Sequence, residues 1–180
     1  MKTTSPIATD RLILRRFTPE DAVPMFENWA SDPEVTRFLT WNPHRDPGET
    51  LRVISSWVDQ YPLGILDWCI TLRRDGSPVG SITAVQEHPS LGYCELGMCL
   101  SRELWGRGIM TEACGAVIRY IFESTRYASV RARYDIENPA SGRVLEKCGM
   151  GVLGERLSAD RHGRERLYVH MGISRADFRR

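Results

Sequence analysis

Three apolar, strand-like runs succeed one another between residues 68 and 100 with no helix between them. Trp68–Leu72 and Val79–Gln86 flank Arg73-Arg74-Asp75-Gly76-Ser77-Pro78, and Asp-Gly between two apolar runs signals a β-hairpin. Cys94–Leu100 follows. Because strand side chains alternate, Cys94, Leu96, Met98 and Leu100 share one face, and Glu95, Gly97 and Cys99 the other. Successive strands of this kind argue against a doubly wound parallel sheet, in which helices separate the strands.

The flanking sequence supplies helices. Thr18-Pro19-Glu20-Asp21 reads as a helix start, with Thr as N-cap and Pro in the first turn, followed by Ala22, Met25, Phe26 and Trp29 at helical spacing. Asp32-Pro33-Glu34 repeats the signal before Val35, Phe38 and Leu39, and Asp46-Pro47 opens a stripe of Leu51, Ile54, Val58 and Tyr61. Ile109–Ser124 reads as a longer helix, and Asn138-Pro139 opens a short one that ends at Gly149. Arg11–Phe17, Ala128–Tyr134, Gly151–Leu157 and Arg166–Ile173 complete the strands. The order predicts an α/β layered fold, with a mixed, mostly antiparallel central sheet of about seven strands flanked by helices. A chain of 180 residues is expected to form one domain, with its core over about residues 9–173.

Composition narrows the partners. The net charge is +1, from 24 Lys+Arg against 23 Asp+Glu, which lacks the basic excess of a nucleic-acid-binding domain. The five cysteines show no C-x-x-C pair, and no Cys/His group has metal-site spacing, so no metal is expected. No apolar run is long enough to span a membrane, and residues 1–9 lack the apolar core of a secretion signal. A reducing, cytoplasmic setting is the expectation. Arg175, Arg179 and Arg180 read as a solvated basic end.

The most informative segment is Leu104-Trp105-Gly106-Arg107-Gly108-Ile109, between a strand and a helix. Backbone N–H groups at a helix start attract anions, and glycines let a phosphate approach closely. The loop lacks the Lys of a Walker A motif, and Thr111 stands where a dinucleotide fingerprint needs its third glycine. From spacing alone, a phosphate loop and an ordinary tight turn both fit.

Two longer patterns are far more specific than the loop alone. Glu95-Leu96-Gly97, with Trp105-Gly106-Arg107-Gly108-Ile109-Met110-Thr111-Glu112-Ala113, and then Glu137 to Met150, resemble the Gcn5-related N-acetyltransferase family. The opening Thr9-Asp10-Arg11-Leu12-Ile13-Leu14-Arg15 resembles the branch that acetylates ribosomal-protein N-termini. The likeness spans about Thr9 to Ile173. It implies acetyl-CoA as donor, a primary amine as acceptor, and homodimers as a common state. It also implies that Leu104, Trp105, Gly106, Arg107, Gly108 and Ile109 hold the pyrophosphate. Met98, Cys99 and Leu100 would carry the pantetheine arm, Asn138 would contact that arm, and Ser141 would lie near the thioester sulfur. Two positions depart from the pattern: Glu103 replaces a frequent Gln or Arg, and Leu145 stands where some relatives carry a tyrosine acid.

The chemistry requires an amine to lose protons while a thiolate leaves. Glu95 is the candidate base, on the strand feeding the loop, where burial would favour proton uptake. Asp135 and Glu137 are the lesser candidates. Asn138 equally suits a helix cap, and Ser141 a polar residue in a first helical turn. Cys99 and Cys148 lack a neighbouring His in sequence, so direct attack is preferred to an acyl-cysteine. Trp41, His44 and Trp68 are candidates for the acceptor wall. The alternatives are a non-catalytic acyl-CoA-binding or sensor module and, more remotely, a dinucleotide-binding oxidoreductase.

Overall fold

The computed structural model describes residues 4–178, except the side chains of residues 86–89. Eight strands form one sheet: β1 (Ile7–Ala8), β2 (Leu12–Arg15), β3 (Asp67–Leu72), β4 (Pro78–His88), β5 (Tyr93–Leu100), β6 (Ser129–Asp135), β7 (Gly151–Ala159) and β8 (Glu165–Ser174). Their spatial order is β1-β2-β3-β4-β5-β6-β8-β7. Every neighbouring pair is antiparallel except β5 and β6. A parallel pair needs a long crossover, and α4 (Ile109–Ser124) supplies it. The mixed, mostly antiparallel sheet is as expected, with one strand more: β1 is only two residues long and carries no alternation to read.

The faces are covered by different layers. α4 buries Ile109, Ala113, Val117 and Ile121 against Leu96, Leu100, Trp68 and Ile70. The opposite face of β2 and β3 is covered by α1 (Ala22–Met25) and α3 (Pro47–Gln60), through Met25, Trp29, Ile54 and Cys69. The helix expected from Pro19 to Trp29 is not uniform. A 3-10 turn (Pro19–Asp21) leads into α1, and a π-helical turn (Phe26–Ala30) follows. The wider turn, closed by Ser31 N–H donating to Phe26 O at 3.2 Å, leaves both Trp29 and Ala30 buried. Asn28 Nδ2 ties it to Pro78 O at 2.7 Å. α2 is a single turn (Pro33–Thr36), and Leu51 of α3 is exposed, contrary to the expected stripe.

α5 (Pro139–Lys147) follows β6, and its Leu145 is fully buried in the main core. A last turn, α6 (Arg175–Phe178), ends the described chain. Arg175 is no solvated end. Its guanidinium donates to the carbonyls of Phe122, Thr125 and Tyr127, locking β8 to the end of α4. Arg179 and Arg180 lie outside the described residues.

Candidate functional site

β5 and β6 form a fork. They pair from Tyr93↔Ser129 to Leu96↔Ala132 and then part. Beyond that point β6 continues on β8 and β5 on β4, so among the described residues one edge of Gly97–Leu100 has no strand partner. An unpaired strand edge presents N–H and C=O groups to whatever enters. The fork opens at the carboxyl ends of its parallel strands, the usual ligand-binding end. A bulge in β4 between Ala84 and Gln86 lays Val85 over the fork, and a Cβ at position 97 would stand 2.7 Å from Val85 Cγ1. Any larger residue there would have to displace the Val85 side chain. Met98 and Leu100 pack toward α4, while the Cys99 thiol turns to the other face, 3.3 Å from Ser81 Oγ. Burial pushes that thiol up to about 11.

The glycine loop closes the fork. The Trp105 indole N–H donates to Leu100 O at 2.8 Å, and Leu104 is packed on the core. Gly106 and Gly108 have φ of 74° and 73°, the left-handed region that favours glycine. As N-cap, Gly108 offers no side-chain acceptor, so the first N–H groups of α4 are left for water or an anion. A Cβ at Gly106 would meet no atom within 4 Å, so the backbone there borders open space. Arg107 and Glu103 are exposed. Arg11 braces the loop by donating to Arg107 O at 2.9 Å and to Glu112 Oε2 at 2.6 Å. Burial pushes the Glu112 carboxyl up, but hydrogen bonds from Thr9 and Arg11 outweigh this and hold it below the usual carboxylate range.

The start of α5 forms the other prong. Asn138 caps the helix, its Oδ1 accepting from Ser141 N–H at 3.4 Å. Ser141 is half-buried in the first turn. A Cβ at Gly142 would lie 2.6 Å from Tyr134 Cζ, so the Tyr134 ring sits against that turn. Leu145 has no exposed surface and no hydroxyl to donate. Tyr134, which sequence patterning did not mark, brings the phenol that Leu145 lacks to the same prong.

Glu95 lies on the face opposite α4, with its side chain 13% exposed and its carboxylate 3.5 Å from Arg133 Nε. Asp135 and Glu137 are both held by Arg166, at 3.8 and 2.6 Å, which occupies them structurally. The β7–β8 turn reaches over this face: Arg161 donates to Thr36 O and Leu39 O at 2.5 and 2.7 Å. A small pocket beneath it is lined by Phe38, Leu39, Asp135, Arg161, Arg166 and Tyr168.

Two expected wall residues are core residues instead. Trp68 has no exposed surface, and its indole N–H is satisfied by Ser5 O at 2.9 Å. His44 is buried with Nδ1 2.8 Å from Thr50 Oγ1, and burial lowers its pKa, favouring the neutral ring. Trp41 keeps exposed surface, its ring 5.1 Å from that of His44. Sequence reasoning also missed Asp67 and Thr83, whose hydrogen bond spans β3 and β4. Among the described residues no His, Cys, Asp and Glu group is placed to hold a metal, and no helix is long and apolar enough to cross a membrane.

The chain is similar to known proteins in sequence and in fold. A family model described as acetyltransferase (GNAT) domain matches residues 11–151. An uncharacterized N-acetyltransferase of Bacillus licheniformis, p20, is 30% identical over 76% of this chain and 77% of its own length. The [ribosomal protein uS5]-alanine N-acetyltransferase of Escherichia coli is 28% identical over 79% of this chain and 76% of its own. The solved structure of the microcin C7 self-immunity acetyltransferase MccE, in complex with acetyl-CoA and AMP, superposes with a TM-score of 0.82. It is 15% identical and covers 92% of this chain and 93% of that one, a likeness of fold.

Proposed function

This chain belongs to the GNAT acetyltransferase family and is an acyltransferase, and on that footing we propose that it moves an acetyl group from acetyl-CoA to a primary amine, a protein N-terminus or a small molecule, with both reactants bound together. The fork between β5 and β6 carries this reading: an unpaired strand edge ends beside a glycine-lined helix start. The bound donor supplies an activated thioester carbonyl. Met98, Cys99 and Leu100 present the backbone edge that an amide-bearing arm takes as an added strand would. Leu104 to Ile109 offer the anion site, with the dipole of the 16-residue α4 behind it. With Asn138 Oδ1 spent on its own helix, its Nδ2 is the atom left to meet the arm. The Ser141 hydroxyl, in the same turn, donates to the departing sulfur.

The acceptor enters from the opposite face, bounded by Trp41, Leu39 and the turn that Arg161 pins. Glu95 takes a proton from its nitrogen. Burial keeps the Cys99 thiol protonated at neutral pH, which supports direct attack over an acyl-cysteine. One domain spanning residues 1–180 would hold both half-sites, because one sheet carries them.

Titration calorimetry with acetyl-CoA, followed by a thiol-release screen over peptides and small amines, tests the proposal. Peptides beginning with alanine belong in the panel, since that residue appears in the name of the Escherichia coli relative. Saturable binding and amine-dependent thiol release are expected. No binding at high micromolar ligand would overturn the reading, and binding without thiol release from any amine would favour a sensor module.

A further inference from the structure

On the sheet face opposite α4, a row of register partners crosses three strands. Asp67 on β3 is the register partner of Thr83 on β4, which is the register partner of Gly97 on β5, the first residue of the unpaired edge. Thr83 Oγ1 donates to Asp67 Oδ1 at 2.5 Å. Asp67 has no exposed surface, and its second oxygen, Oδ2, is buried with no hydrogen-bond partner among the described residues. A buried carboxylate with a bare oxygen is costly, and a structural role would be served better by an apolar side chain.

Among the described residues no salt bridge reaches it. Arg15, on β2 beside Cys69, is committed to Asp21 through bonds of 2.7 and 2.8 Å. Arg16 stacks on the Tyr61 ring at 5.0 Å. The other titratable groups packed around it, Tyr61, Cys69 and Cys99, are neutral near pH 7, each pushed up by burial. Burial likewise raises Asp67 to about 7, against the lowering effect of the Thr83 hydrogen bond.

We propose that Thr83 and Asp67 are a second proton-accepting arm of the acceptor site, in which Thr83 Oγ1 takes a proton from the acceptor ammonium as its own proton passes to Asp67 Oδ1. The assignment rests on the acetyl-transfer reading above. Thr83 keeps exposed surface where Asp67 has none, so an acceptor at the fork meets the hydroxyl first. Two protons leave the nitrogen in all. The first, bound with a pKa of about 8 in an α-amine and about 10.4 in a lysine, is the harder to remove. It goes through Thr83 to Asp67, and the freed lone pair attacks the thioester carbon. As the C–N bond forms and the C–S bond breaks, sulfur keeps the bonding pair and the nitrogen gives its second proton to Glu95. One proton ends on the sulfur and the other in solvent, which returns both carboxylates to their starting state.

Three variants and a titration test this. For the wild type, kcat/KM for the acceptor should rise with pH through a limb near 7. Asp67→Asn and Thr83→Val should each lose tenfold or more in kcat and lose that limb, with the KM for acetyl-CoA unchanged. Thr83→Ser should retain both rate and limb. Independently of turnover, carbon-13 NMR of the aspartate carboxyls should show one group titrating near 7, absent in Asp67→Asn and moved upward in Thr83→Val. Wild-type rate and profile in Asp67→Asn or Thr83→Val, equal loss in Thr83→Ser and Thr83→Val, or an Asp67 carboxyl titrating in the ordinary range would overturn the arm alone. Absence of thiol release by the wild type would overturn the transfer reading, and the arm with it.

Discussion

A single carboxylate shows how far residue-level reading extends. Alternation along Cys94–Leu100 places Glu95 on the face away from Leu96, and the structure has it there. Its partner is not legible: Arg133 comes from β6, which is joined to β5 only through α4. That ion pair engages one oxygen of the carboxylate beside the fork, and in the proposed reaction the carboxylate takes a proton from the incoming amine. Glu95→Gln should therefore lower kcat by about 10²- to 10⁴-fold, the usual range for a positioned acid or base. Acetyl-CoA affinity, measured by calorimetry, should barely change, because the proposed donor contacts lie on the backbone edge and the loop. Unchanged turnover across pH would remove Glu95 from the mechanism. Trp68 and His44 mislead at this scale because an aromatic residue near a cleft in sequence looks the same whether its polar atom meets solvent or is satisfied inside. Asp67 was invisible for a related reason: burial and a cross-strand threonine make it unusual, and neither is local in sequence.

Elements were easier to read than their irregularities. The Asp-Gly hairpin, the cap at Asn138 and the C′ glycine at Gly149 each follow from local chemistry, and each is where it was expected. The π turn at Phe26–Ala30 and the parting of β5 from β6 are tertiary, set by what packs on either side. The glycine loop belongs to both kinds: its spacing is local, but its use depends on the fork beside it. Gly108→Trp should cost roughly 1–2 kcal/mol from forcing a side chain into left-handed backbone. It should also abolish acetyl-CoA binding in calorimetry, because the indole would fill the approach to the first N–H groups of α4. Gly76→Trp is the matched control. Its φ is 74° in the β3–β4 turn, with nothing within 4 Å of its Cβ position. It should lose similar stability in urea and keep the donor affinity. Retained binding in Gly108→Trp would place the pyrophosphate elsewhere.

At the scale of the whole molecule, a net charge of +1 conceals strongly unequal local environments. Glu112 and Asp160 are held below the carboxylate range, the first by Thr9 and Arg11 and the second by Arg164 and the backbone of its turn, against the effect of burial. Their stabilisation is present above that range and is lost on acidification. His44 and His170, lowered by burial, likewise lose stability as pH falls. Asp67 has the opposite sign. Its folded value near 7 lies above the unfolded one, so its contribution is complete below about pH 4 and disappears as pH rises through 7. The span of about three pH units corresponds to a swing on the order of 4 kcal/mol. Wild-type stability alone would blur these opposing slopes between pH 5 and 7, but the difference from Asp67→Asn isolates one of them. In urea unfolding from pH 4 to pH 8, the variant should gain on the wild type steadily up to about pH 7 and then level off. A difference independent of pH would mean that Asp67 is ionised in the folded protein throughout, with a counter-charge close by. The same carboxyl that costs stability above pH 7 would be the one that makes the cleft competent there, so the variant that gains most in urea should be the one that turns over most slowly.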